Sequence, residues 1–182
     1  MAESTARILD AYLVAAARTG DRRAFGLLVE RWHGKLVAHA WRLTGDPEMA
    51  RDAAQGAWVE IVRGLHRLAD ERAFPAWAYR IVSRRCAKQI GAAVRRRELA
   101  AKVTVEPYAE VPAPDAAIDS AGLRSAIARL PAEQRSAIAL FYLEEMSVAE
   151  VAVALDVPMG TIKTRLMHAR RKLREAMEGE RQ

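Results

Sequence analysis

Ser147-Val148-Ala149-Glu150-Val151-Ala152-Val153-Ala154-Leu155 is followed by Asp156-Val157-Pro158 and then by Met159-Gly160-Thr161-Ile162-Lys163-Thr164-Arg165-Leu166-Met167-His168-Ala169-Arg170-Arg171. The three pieces read as a capped short helix, a tight turn and a long basic helix. Ser147 stands three residues before Glu150, the spacing of a capping box, in which each side chain satisfies the other residue's free backbone N–H. The first helix should end near Leu155, and Asp156 tolerates the left-handed backbone that a helix stop requires. The second should run over about residues 159–177. Its apolar residues Ile162, Leu166, Ala169 and Leu173 fall on one stripe and should pack inward. Lys163, Thr164 and Arg165 then point outward near the N-terminal end.

A short helix, a turn and a longer basic helix make a helix-turn-helix. In that motif the second helix enters the major groove, and its N-terminal residues meet base edges. Arg170 and Arg171 lie one to two turns further on, where phosphates are the natural target. The competing reading is an amphipathic bundle helix with a solvated basic face. The cap and the turn decide for DNA.

Working outward, Leu123, Ile127 and Leu130 predict a short helix starting near Ser120. Pro131 opens another, with Ile138, Leu140, Phe141 and Leu143 near its end. Before them, residues 99–119 have no helical periodicity and contain Pro107, Pro112 and Pro114. Such a linker could span about 70 Å when extended, and its prolines keep it extended. Upstream, residues 5–18 form a first short helix that Gly20 ends. Asp21 caps a long one with Phe25, Leu28, Val29, Trp32, Leu36, Ala40 and Leu43 on one face. Gly45 stops it, and Asp46-Pro47 restarts the chain with a capping residue and a proline at the first helical position. Ala54, Trp58, Ile61, Val62 and Leu65 continue at helical spacing. A third long helix, residues 74–97, buries Trp77, Ile81, Val82 and Ile90. The expectation is an all-α chain: a helical domain over 1–98, a flexible acidic linker over 99–119 that holds the domains loosely, and a helix-turn-helix domain over 120–182.

Charge sharpens this. The chain carries a net charge of +6, concentrated in two blocks. Residues 61–102 hold eleven basic and three acidic side chains, and residues 161–174 hold six basic and none acidic. Between them lie Glu106, Glu110, Asp115 and Asp119 with no Lys or Arg. Two basic blocks around an acidic stretch suggest two contacts with a polyanion. Cys86 is the single cysteine, so no intramolecular disulfide can form, which suits a reducing cytoplasm. Its basic helix could lower its pKa, but a buried structural thiol is the better reading. No apolar run reaches the roughly eighteen residues of a membrane span, and no signal peptide is expected. His33, His39, His66 and His168 are scattered, without the spacing of a metal site. No glycine-rich phosphate loop is present. Neither a cofactor nor catalysis is expected.

The chain resembles a known family at two separate blocks. Leu130-Pro131-Ala132-Glu133-Gln134-Arg135, Ser147 to Ala152, Gly160 to Leu166, Ala169-Arg170 and Leu173 resemble the minus-35 domain of extracytoplasmic-function sigma factors of the sigma-70 family. Ala24-Phe25, Gly45-Asp46, Asp52-Ala53-Ala54-Gln55 with Trp58, and Phe74-Pro75-Ala76-Trp77 with Arg80-Ile81 resemble that family's polymerase-binding and promoter-melting domain. The resemblance implies that Asp52, Gln55 and Trp58 bind core RNA polymerase. It implies that Arg80, Arg84, Arg85 and Lys88 line a groove for the minus-10 strand. It also implies that Thr161, Lys163, Thr164, Arg165, Arg170 and Arg171 contact the minus-35 element, and that an anti-sigma factor is a further partner. Four residues depart from the family pattern. Gly56 stands where an acid usually follows the glutamine, Arg84 where asparagine is common, Lys88 where aspartate is common, and Asp156 where a turn glycine is frequent. A sigma-like decoy and a stand-alone helix-turn-helix regulator are the alternatives, and promoter-specific transcription with core polymerase separates them from an initiator.

Overall fold

The computed structural model describes residues 2–100 and 121–179. The linker expected over 99–119 lies almost entirely outside them. Among the described residues there are eight α-helices, two short 3-10 turns and no strand. Helices α1 (Ala2–Arg18), α2 (Arg22–Thr44), α3 (Pro47–Gly64) and α4 (Phe74–Ala100) pack as one bundle, and α5 (Ala121–Ala128), α6 (Ala132–Tyr142), α7 (Val148–Leu155) and α8 (Met159–Gly179) as a second.

Local chemistry sets the helix ends. The Asp21 carboxylate accepts from the backbone N–H of Arg23 and Ala24, and the Asp46 carboxylate from that of Glu48 and Met49. Each carboxylate satisfies donors that the first helical turn cannot pair internally. Gly45 ends α2 in the left-handed region at φ 69°, where a side chain would be strained. Ser147 and Glu150 form the reciprocal capping box, and Asp156 ends α7 at φ 56°.

The first bundle closes on Leu28, Trp32, Leu36, Ile61, Phe74, Tyr79 and Val82, all buried. The Trp32 ring meets Phe74 and Tyr79 edge-on, at 5.3 and 5.6 Å. Ile90, expected on the buried side of its helix, is outside, as is Val62, which continues the helical spacing of α3. Ile90 is 38% exposed and Val62 56%. On α4 the fully covered positions stop at Cys86, so a helically spaced residue beyond it has nothing to pack on. Val62 shares an open face of α3 with Val59. Leu143, at the end of α6, is also exposed.

The two bundles were expected to sit apart on their linker. In this structure they are docked, with α7 against α4 and α6 against α2, and their buried residues form one continuous core. The Ser83 hydroxyl donates to the Ala154 carbonyl at 2.8 Å. The Arg135 guanidinium donates to the Arg42 carbonyl at 3.0 Å and lies 5.6 Å over the Trp41 ring. Lys35 pairs with Glu144 at 2.8 Å, and Arg7 donates to the Glu145 carbonyl at 2.7 Å. Periodicity within a helix cannot report such contacts, since every partner lies in the other bundle.

Candidate nucleic-acid interface

Helix α8 is seated as its stripe predicts. Ile162, Leu166 and Ala169 are buried, and Leu173 packs against the same core. Lys163 and Thr164 are exposed, as are Arg170, Arg171, Lys172 and Arg174. Not every outward charge is at liberty. Arg165 folds back on Glu133 of α6 at 2.7 Å and keeps only 19% of its side chain exposed. Thr164 Oγ1 donates to the Gly160 carbonyl of its own helix. Arg170 donates to the Tyr142 hydroxyl at 2.8 Å and covers the Phe141 and Tyr142 rings. Thr161 is half-buried. The open N-terminal face therefore holds Lys163, with Met167 one turn on and Arg171 one turn further. Met167 is exposed and was missed, because a methionine in a basic helix carries no signal in the sequence.

Helix α4 carries the other basic face, and there the structure pairs three of the four residues expected to line the minus-10 groove. Arg80 and Arg84 both bind the Asp156 carboxylate of the helix-turn-helix turn, each at 2.9 Å. Those hydrogen bonds, Arg84's foremost, hold the Asp156 carboxyl below the usual carboxylate range. Arg85 pairs with Glu60 of α3 and crosses directly over Gly56. Lys88, Arg95, Arg96 and Arg97 are exposed.

Beneath this face lies a buried polar chain. Ser83 Oγ gives its proton to the Ala154 carbonyl, so it must accept from His39 Nε2, 2.9 Å away. Burial first, and the nearby Arg42 second, push the His39 pKa down to about 3. The ring is neutral, with the proton on Nε2. Cys86 lies further along α4, with its thiol pushed up to about 12 by burial. It is the structural thiol of the sequence reading, and its basic neighbours do not activate it.

The residues expected to meet the polymerase separate into two kinds. Asp52 and Gln55 are exposed on α3. Trp58 is not a surface contact: it is 9% exposed, meets Phe25 edge-on at 5.9 Å and donates to His33 Nδ1 at 3.3 Å. It is a support for that face, and the large ring on the apolar stripe accounts for its burial. The exposed apolar residues beside Asp52 and Gln55 are Val59 and Val62, at spacings of three and four.

A cleft of about 250 Å³ between α1, α2 and the α6–α7 turn is lined by Asp10, Trp32, Lys35, Tyr79 and Glu144. Its charged groups pair, Asp10 with Arg31 and Lys35 with Glu144. Among the described residues, no three His, Cys, Asp or Glu side chains gather as a metal site, and no helix is long and apolar enough to cross a membrane.

Two family profiles match, Sigma-70 region 2 over residues 28–96 and Sigma-70, region 4 over residues 120–173. RNA polymerase sigma-H factor of Pseudomonas aeruginosa is 30% identical over 182 residues, covering 93% of this chain and 94% of that one. ECF RNA polymerase sigma factor SigM of Mycobacterium tuberculosis is 33% identical, over 90% of this chain and 82% of its own. The chain belongs to the extracytoplasmic-function sigma factors of the sigma-70 family. Solved structures of this family share the fold of this sigma factor. CnrH, in complex with the cytosolic domain of CnrY, is 29% identical with a TM-score of 0.61, over 94% of this chain and 98% of that one. RpoE of Bartonella quintana, in complex with the anti-sigma factor NepR, is 24% identical with a TM-score of 0.67, over 85% and 96%. The sigma factor's region 2 match thus takes in α4, and its region 4 match takes in the turn and the N-terminal part of α8.

Proposed function

We propose that this sigma factor initiates transcription with its two basic helices divided between two promoter elements, while α3 holds the polymerase. Region 2 comprises the domain over 1–98 and region 4 the domain over 120–182, with the acidic stretch 99–119 as the tether. Asp52 and Gln55 dock on core RNA polymerase, with Trp58 fixing the helix from beneath and Val59 and Val62 adding apolar area. Arg80, Arg84, Arg85 and Lys88 form the cationic track for the unpaired minus-10 strand, whose phosphates a basic groove follows. Lys163 and Thr164 face the minus-35 bases, joined by the half-buried Thr161 and by Arg165 once it leaves Glu133, and Arg170 and Arg171 face its phosphates. The observation that carries this reading is the pairing, in one chain, of the exposed polar face of α3 with basic helices in both matched regions.

The protein itself then performs no catalysis and needs no cofactor, since polymerase makes the RNA. It works in the cytoplasm, and an anti-sigma factor is its regulator. The complex of RpoE with the anti-sigma factor NepR supports that partner class. The test is reconstitution: purified protein, core RNA polymerase and a promoter library should yield promoter-specific transcripts, and Asp52→Ala with Gln55→Ala should abolish co-elution with core. A protein that binds duplex promoter DNA tightly alone and never binds core would be a stand-alone regulator. One that binds an anti-sigma factor but starts no transcript would be a decoy.

A further inference from the structure

We infer that the free sigma factor is held closed by an ionic latch, in which Asp156 of the helix-turn-helix turn occupies the arginines that α4 needs for the minus-10 strand. The inference rests on the proposed role of α4 and adds a regulatory state to it. Three observations carry it. First, Arg80 and Arg84 converge from successive turns of α4 on the two oxygens of one carboxylate, Arg80 on Oδ1 and Arg84 on Oδ2, each at 2.9 Å. A carboxylate held by two guanidiniums occupies the place that a backbone phosphate would take. Second, the latch joins two of the departures from the family pattern. The resemblance implies an asparagine at position 84 and a turn glycine at position 156, so two residues that it does not account for meet at one ion pair. Third, the latch sits over a buried seat. Ser83, between the two arginines in sequence, donates to the Ala154 carbonyl at the end of α7. Docking there satisfies a carbonyl that the helix terminus leaves free.

The closed arrangement ties the two domains together and leaves the outward face of α8 open. It neutralises the first half of the α4 track and presses the turn that precedes the recognition helix against region 2. The latch is the part of this interface that salt and phosphates can reach, the remainder being the shared buried core. Arg80, Arg84 and Asp156 all keep more than a third of their side chains exposed, and exposed pairs are individually weak and screened by salt. Polymerase, which must hold the two domains on separate promoter elements, or a strand of phosphates competing for the arginines, releases it.

The experiment uses the full chain carrying Glu30→Cys and Ser125→Cys, exposed positions in the two bundles, spin-labelled for a distance distribution. The buried Cys86 resists labelling. Asp156→Asn is the test variant, because asparagine keeps the left-handed turn and removes only the charge. Circular dichroism checks that its helices are intact. Wild type should give a single short distance that lengthens in about 1 M salt, where screening acts within about 3 Å. Asp156→Asn should show the longer component at low salt and bind core RNA polymerase about three- to tenfold more tightly, the range expected from losing one or two exposed pairs. Identical distances in wild type and Asp156→Asn would overturn the latch. A longer distance with unchanged core affinity would overturn its inhibitory role. A wild type that never binds core, with distances that still respond to Asp156→Asn, would sink the proposed polymerase contact and leave the latch standing.

Discussion

Helices α4 and α8 are both long and basic, yet they hold their charge in different ways. On α8 the arginines that are tied down answer to their own domain, Arg165 to Glu133 and Arg170 to Tyr142. On α4 the tied arginines answer to other elements, Arg85 to α3 and Arg80 with Arg84 to the opposite domain. Their seats differ as well. Helix α8 rests on Ile162, Leu166 and Ala169. Helix α4 rests partly on a buried hydrogen-bond chain through Ser83 and His39. The basic face of region 4 is therefore ready as folded, whereas that of region 2 depends on where region 4 sits. Charge counted along a sequence measures the supply of cations, and the fold decides how many can reach a ligand.

The contrast can be broken first at the apolar seat. Leu166→Ala removes a buried side chain from beneath α8 and should cost about 2–5 kcal/mol, as cavity-forming leucine truncations do. Urea unfolding of the variant should show it, and a loss under 1 kcal/mol would mean that α8 is not anchored on that stripe. Next come the charges on its open face. Lys163→Ala should lose about 1–3 kcal/mol of discrimination at the cognate minus-35 sequence. Arg171→Ala should weaken binding evenly across sequences and lower the salt slope by about one. Holoenzyme binding to a panel of minus-35 variants separates them. A sequence-specific loss for Arg171→Ala with a uniform one for Lys163→Ala would reverse the assigned direction of the helix in the groove.

The smallest effect per step is expected at the polar seat of α4, and it depends on pH. His39 is neutral in the fold, with its pKa lowered to about 3, while the unfolded chain takes up a proton near 6.5. The groups around it add no counter-charge: Arg42 is cationic, the Tyr79 ring stands 4.9 Å away and Ser83 is neutral. Its contribution is thus fully present above about pH 6.5 and declines as pH falls toward the folded pKa. Between pH 6.5 and 5, before carboxylates titrate, stability should drop by about 1.4 kcal/mol per pH unit for this one proton. Urea unfolding at three pH values measures the slope, and a flat profile would mean that the ring is not buried neutral.

Most of the fold was legible because helix ends are local. Asp21, Gly45, Asp46, the Ser147–Glu150 box and Asp156 each act within four residues of themselves, and the α8 stripe named its own buried face. Features that depend on distant neighbours were hidden. Ile90 and Val62 have helical spacing but no helix opposite them. Trp58 is the converse: its apolar stripe reported its burial, and only the resemblance placed it on a binding face. The pairing of Arg84 with Asp156 joins positions 72 residues apart, and two like-spaced residues on separate elements leave no mark in either local pattern.

The bare backbone at Gly56 carries a consequence for how this surface can change over generations. A Cβ placed there would collide with the Arg85 guanidinium, so any larger residue forces Arg85 to give up its path to Glu60. The obstacle is the tip of a flexible side chain, and it can move aside. An acid at position 56, as the resemblance implies, would offer Arg85 a new partner at the same stroke. Positions 56, 60 and 85 should accordingly drift as a group, so that transplanting any one of them between relatives measures the mismatch with the other two.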